Sequence, residues 1–85
     1  MVIVPTVGRV VWYYAPGVPK DRQPQAAIIA CVWSDTCVNL AILGQDGRWM
    51  ENPPTSILLV QEGNPVPDGG NYCCWMPYQI GQAKK

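Results

Sequence analysis

The chain has 85 residues, with six basic and six acidic side chains, four cysteines and no histidine. A chain this short makes one domain with a thin core, burying roughly 60–65% of the surface that its unfolded form exposes. Its balanced, scattered charge excludes the Lys/Arg stripe that long nucleic acid requires, and no run of roughly eighteen apolar residues exists to form a membrane helix.

Residues 1–6 read as an extended lead-in ending near Pro5. Val7–Tyr14, V-G-R-V-V-W-Y-Y, is the first strand. Strand alternation sends Val7, Arg9, Val11 and Tyr13 to one face and Gly8, Val10, Trp12 and Tyr14 to the other. Neither set is purely apolar or purely polar, so one face meets the core and the other meets something besides plain water. Residues 15–25 carry three prolines, a glycine, Lys20, Asp21 and Arg22, the composition of a long loop that no strand crosses.

Ala26–Trp33 and Cys37–Leu43 are the second and third strands, joined by Ser34-Asp35-Thr36, whose short polar side chains suit a turn. Val38, Leu40 and Ile42 share one face, with Asn39 and Ala41 opposite. A three-residue turn would pair Trp33 with Cys37; a two-residue turn would pair Trp33 with Thr36 and put Cys31 and Cys37 on opposite faces. Gly44-Gln45-Asp46-Gly47 predicts a second tight turn. Arg48–Glu51 follows as a short fourth strand, broken by Asn52-Pro53-Pro54, and Thr55–Gln61 is a fifth. Residues 62–71 are loop, Tyr72–Met76 is a last strand, and Pro77–Lys85 begins a short helix with proline in its first turn.

An open sheet of this size would leave exposed edges. The expected fold is therefore one all-β domain over residues 1–85: a small SH3-like barrel, or alternatively an OB-like one, of five to six strands with a short C-terminal helical turn.

Catalysis is not expected. Without histidine the commonest neutral-pH acid–base is missing, the carboxylates lie mostly in loops and turns with no pair at a recognisable spacing, and there is no Gly-rich phosphate loop. Cys31, Cys37, Cys73 and Cys74 match no zinc spacing, and a metal site would need all four thiolates. The first residues show no charged leader before an apolar stretch, which sets the expected compartment as a reducing cytoplasm. There the cysteines read as small buried apolar residues, and neither metal nor cofactor is expected.

Binding is the better prospect. The aromatics are four tryptophans and four tyrosines with no phenylalanine. Tryptophan and tyrosine carry a polar handle suited to stacking on a partner and bonding to it, and eight of them exceed what so small a core can bury. Arg9, alternating with valines beside aromatics, suits cation–π contact and bidentate bonds to phosphate or carboxylate, or an ion pair across strands. Asn39 could lie on the solvent face, satisfy a buried backbone group or meet a ligand.

Three stretches, P-T-V-G-R-V-V-W-Y-Y at 5–14, C-V-N-L-A-I-L-G-Q-D-G at 37–47 and C-C-W-M-P-Y-Q-I-G-Q-A-K-K at 73–85, resemble a family of small phage and prophage proteins. Those proteins carry a V-G-R-x-V start, a V-N-L-x-V-F-D-x-x-G hairpin and a W-M-P-Y-Q-x-G-Q-A-x-K end. Where they often have histidine after V-G-R-x-V, this chain has Trp12, so a role given to that histidine does not carry over. The resemblance implies a protein made in an infected bacterium and working in the host cytoplasm. It is similar in kind to sponge proteins that sequester nucleotide immune signals, cyclic dinucleotides or cyclic ADP-ribose derivatives, in pockets of aromatics, arginine and backbone donors. On that reading the chain is a homo-oligomer, and its ligand-binding residues are Arg9, Trp12, Tyr14, Trp75, Tyr78 and Gln79. The competing readings are a protein-interaction module gripping a host or phage protein through its aromatic surface, and a minor virion component.

Overall fold

The computed structural model describes residues 2–19 and 22–84. Met1, two charges of the expected loop (Lys20 and Asp21) and Lys85 of the terminal basic pair lie outside the described residues. Five strands, β1 (Val10–Tyr14), β2 (Gln25–Ser34), β3 (Cys37–Ile42), β4 (Ile57–Val60) and β5 (Tyr72–Cys74), close into a barrel, followed by helix α1 (Pro77–Ala83). The expected small all-β barrel with a short C-terminal helix is the fold. Strands neighbour one another in sequence order around the barrel, unlike the Greek-key order of the OB alternative. The first four run antiparallel, β1 also pairs antiparallel with β5, and the ring closes through a parallel pair between β4 and β5.

The inward set follows from alternation. Val11 and Tyr13, Ala27 and Ile29, Val38, Leu40 and Ile42, Ile57 and Leu59, and Cys73 fill the interior, with Trp75 plugging one end. Register then explains the curvature. Ile29 faces Leu40 but Cys31 faces Asn39, and Val32 faces Val38 but Ser34 faces Cys37. Ala30 and Trp33 are thus extra residues on β2, and two such bulges bend and twist a long strand enough to serve both neighbours of a tight barrel.

The second bulge also corrects the hairpin. The turn is the two-residue Asp35-Thr36, closed by Ser34 opposite Cys37; Trp33 pairs with neither Cys37 nor Thr36, because it is the bulged residue. Four other strands are shorter than expected: the expected fifth is β4, Ile57–Val60, and the last ends at Cys74. β1 begins at Val10, since Gly8 and Arg9 both bond to Ile29 and Gly8 sits at φ +95°, a glycine-led bulge that ends regular pairing. The fourth strand expected at Arg48–Glu51 is reduced to one bridge between Leu43 and Trp49. β4 pairs with β3 at Cys37 and Val38, while Asn52 at φ +52° and two prolines turn the chain away before a second ladder can grow.

The strand directions sort the connections onto two ends. The loop after β1, the turn after β3 and the approach to β5 share one end. The segment before β1, the Asp35-Thr36 turn, Gln61 after β4, and Trp75 with α1 share the other.

Candidate functional site

Those directions bring together residues far apart in sequence. Trp12 and Tyr14 alternate with the core residues Val11 and Tyr13 and are half-buried. Trp12 lies between the small neighbours Ala26 and Cys74 and lines an open cleft. Tyr14 lies opposite Tyr72, and the two rings stack with centroids 5.0 Å apart and planes 17° from parallel. Such a pair adds about 0.5–1.5 kcal/mol beyond simple burial. Burial first, and Cys74 nearby second, push the phenols of Tyr14 and Tyr72 above their ordinary value, so both stay neutral hydrogen-bonding groups near pH 7.

Residues 15–19 are held over this end by backbone bonds: Gly17 N–H donates to Gly69 C=O (3.0 Å) and Asn71 N–H to Tyr14 C=O (2.7 Å), while Val18 N–H closes a local turn on Ala15 C=O (3.2 Å). Gly70, at φ +82°, lets the 69–71 segment lie directly on Ala15; a Cβ there would fall 2.4 Å from the Ala15 carbonyl oxygen. The opposite wall is the Gly44–Gly47 turn, closed by Gly44 N–H to Arg48 C=O at 2.7 Å. Gln25 joins the walls, its Nε2 donating to the Leu43 carbonyl at 3.1 Å.

Between these walls run two adjoining clefts of about 610 and 490 Å³ that share Gln23, Gln25 and Gln45. Tyr14 and Arg22 line the first; Trp12 and Pro24 line the second. The result is one open groove with an aromatic at each end, three amides in the middle and an arginine at the Tyr14 end. Its size is that of an ordinary small-molecule site. Among the described residues Arg22 has no ion pair.

Of the six residues expected to bind a ligand, only Trp12 and Tyr14 lie in this groove. The other four meet at the opposite end of the barrel. Arg9 is exposed, with its guanidinium carbon 5.6 Å from the Trp75 ring centroid, so the cation–π alternative is the contact it makes. Trp75 is 2% exposed and its indole N–H donates to Gln61 Oε1 at 3.1 Å: it is a core residue under an arginine lid rather than an open stacking platform. Gln79 is equally committed. Its Oε1 accepts from Met76 N–H (2.7 Å), capping α1, and its Nε2 donates to the Val10 carbonyl (2.8 Å), fastening the helix to β1. Tyr78 is 72% exposed beside a smaller cleft of about 450 Å³ shared with Ile3 and Arg9. Asn39 satisfies backbone: its Oδ1 accepts from Ser56 N–H (2.7 Å) and from the Trp33 indole (3.1 Å).

Residue composition alone did not single out Arg22, Gln23, Gln25 and Gln45. Their signal was topological. In an antiparallel meander the loop after the first strand and the turn after the third must share an end, which sets the polar run R-Q-P-Q at 22–25 beside Gln45.

Cys73 is fully buried in the core, and burial pushes its thiol up to about 12, with Cys74 a lesser cause. The four cysteines are free thiols, the other three half-buried. Among the described residues no group of three potential metal ligands comes together, and no helix is long and apolar enough to cross a membrane. Comparison with known protein families, with curated proteins and with solved structures returns no match.

Proposed function

We propose that this is a non-catalytic binding protein, phage-encoded and acting in the host cytoplasm, that sequesters a small nucleotide-type signal in the groove between β1, residues 15–18 and 22–24, and the Gly44–Gly47 turn. The observation that carries the reading is the groove's composition: two aromatics for a base or ribose, three amides for polar edges and a single arginine for phosphate. One cation per site is enough for a small nucleotide, which fits a chain of zero net charge. The motifs at 5–14, 37–47 and 73–85 support the phage origin. Trp33, Trp49, Val2, Val4 and Val7, all largely exposed, support association into a homo-oligomer that covers them.

The test is direct. The purified full-length protein is incubated with a mixture of cyclic dinucleotides and cyclic ADP-ribose products, washed, denatured, and the released small molecules are identified by mass spectrometry. A retained nucleotide, lost in Trp12→Ala and Arg22→Ala variants of unchanged thermal midpoint, is the expected result; no retained nucleotide at any oligomeric state rejects the reading. A protein-interaction module is the second reading, favoured by the 64% and 55% exposure of Trp33 and Trp49. It predicts a stoichiometric protein partner lost on Trp33→Ala, with the groove empty.

A further inference from the structure

We infer that the outer face of β1, β2 and β3 is where a second copy of this chain packs, around a two-fold axis near Ala30. This deepens the homo-oligomer part of the reading above and does not depend on what the groove binds. The alternation that sends Val11, Ile29 and Leu40 inward sends the residues between them out. Register then aligns Val10, Ile28 and Ala41 in one outward row across the three strands, with Cys31 beside Asn39 in the next. Val10 is 39% exposed, and Ala30, the bulged residue between the two rows, is exposed as well. Trp33 lies over the same face, because its indole N–H donates to Asn39 Oδ1 at 3.1 Å. Its one polar group is bonded within the chain, so what it turns to solvent is apolar ring.

Charge identifies the occupant. None of the residues of Val10–Tyr14, Gln25–Ser34 and Cys37–Ile42 is charged. A sheet face left in water ordinarily carries charged side chains at its outward positions, and a foreign partner is ordinarily matched by complementary charge. Around a two-fold axis each residue near the axis meets its own copy, so a charge there would face a like charge. A face without charge meets that condition. Its polar acceptors are also satisfied beforehand: Asn39 Oδ1 accepts from Trp33 and from Ser56 N–H, and Ser34 Oγ accepts from Thr36 N–H at 3.2 Å. The closed barrel offers no strand edge, so the copy packs face to face, at a sheet spacing of about 10 Å that Ala30 and Ala41 readily allow. Strands of five, ten and six residues make a flat face of about 330 Å², to which Trp33 and side-chain relief add. That falls below the roughly 800 Å² per partner of a standard complex, so the dimer forms reversibly in the micromolar range.

Sedimentation equilibrium of the full-length protein over a micromolar to millimolar series tests this. The expected result is a reversible shift from the 9.4 kDa chain to twice that mass. Ala30→Glu and Ala30→Arg, at an exposed position, should each weaken the dimer about a hundredfold or more, since like charges then meet at the axis. An equimolar mixture of the two variants should restore it. If either variant fails to fold, Trp33→Ala and Val10→Ser, also at exposed positions, should each weaken the dimer about tenfold. A monomer throughout the series overturns the inference and the homo-oligomer with it. A dimer that none of these substitutions weakens, or a mixture of the two Ala30 variants that stays monomeric, overturns the two-fold at this face and leaves association through another surface standing. Retention of a nucleotide stands or falls separately, by the test above.

Discussion

Gln61 is where a small polar change should cost most. It is 2% exposed and makes four hydrogen bonds: Oε1 accepts from Ile3 N–H (3.1 Å) and the Trp75 indole (3.1 Å), and Nε2 donates to the carbonyls of Ile3 (3.0 Å) and Asp35 (2.7 Å). One side chain thus clips the N-terminal arm, the β2–β3 turn and the core tryptophan together, standing in for a peptide group opposite Ile3. Gln61→Met keeps the volume and removes all four bonds. The buried indole N–H is left without a partner, which costs about 1–3 kcal/mol; the Ile3 and Asp35 groups can turn to water and lose about 0.5–1 kcal/mol each. With three such backbone groups the sum is about 2.5–6 kcal/mol, against a total of about 4–13 kcal/mol for a chain of this length. Urea unfolding of the two proteins measures it, with a thermal midpoint drop on the order of 20 °C. A second substitution isolates the cause. Trp75→Phe should be far cheaper in the Gln61→Met background than in the native one, because it removes the orphaned donor. A loss under about 1 kcal/mol for Gln61→Met, or additivity of the pair within about 0.5 kcal/mol, would refute the account.

Three further outcomes are expected. Gly70→Ala should lose about 2–4 kcal/mol and loosen residues 15–19, since its new methyl meets the Ala15 carbonyl at 2.4 Å on a backbone at φ +82°; hydrogen exchange at Gly17 and Asn71 reads the loosening, and unchanged exchange with unchanged stability contradicts it. Stability should fall at alkaline pH: the native fold holds the Cys73 proton up to about 12, the unfolded chain releases it near 9, so the contribution is complete below pH 9 and drains by up to about 4 kcal/mol as pH rises to 12. Burial raises Tyr13 and Tyr72 in the same sense; urea midpoints equal at pH 8 and 11 would contradict this, and Cys73→Val should flatten the slope. Arg9→Ala should cost about 0.5–1 kcal/mol through the lost contact with Trp75 and leave groove affinity unchanged, because Arg9 and the groove lie at opposite ends; loss of nucleotide binding in this variant would move the site to the other end.

The aromatic surplus was legible in composition: Tyr13, Tyr72 and Trp75 are buried, Trp12 and Tyr14 half-buried, and Trp33, Trp49 and Tyr78 exposed, so the thin core does leave aromatics outside. What composition could not reveal was which ones. Trp33 is outside because of a bulge one residue before the turn, and bulges leave alternation in the sequence unmarked. Trp75 is inside because a single glutamine fourteen positions earlier satisfies its indole.

By itself the sequence determined the period-two strands, the proline-marked loops, the Asp-Gly turn and the proline-led helix, since these depend on local sterics and hydrogen bonding within a few residues. It also determined the absence of histidine chemistry. Only the tertiary structure decided the parallel closure of β4 on β5, the burial of Gln61 and the partition of the expected site between two ends. Closure depends on which edges meet after the barrel curls, and that is set by β2's two bulges and by packing between residues dozens of positions apart. The same curl gathers Trp12, Gln25, Gln45 and Arg22 into one groove, and turns Arg9 away from it toward Trp75.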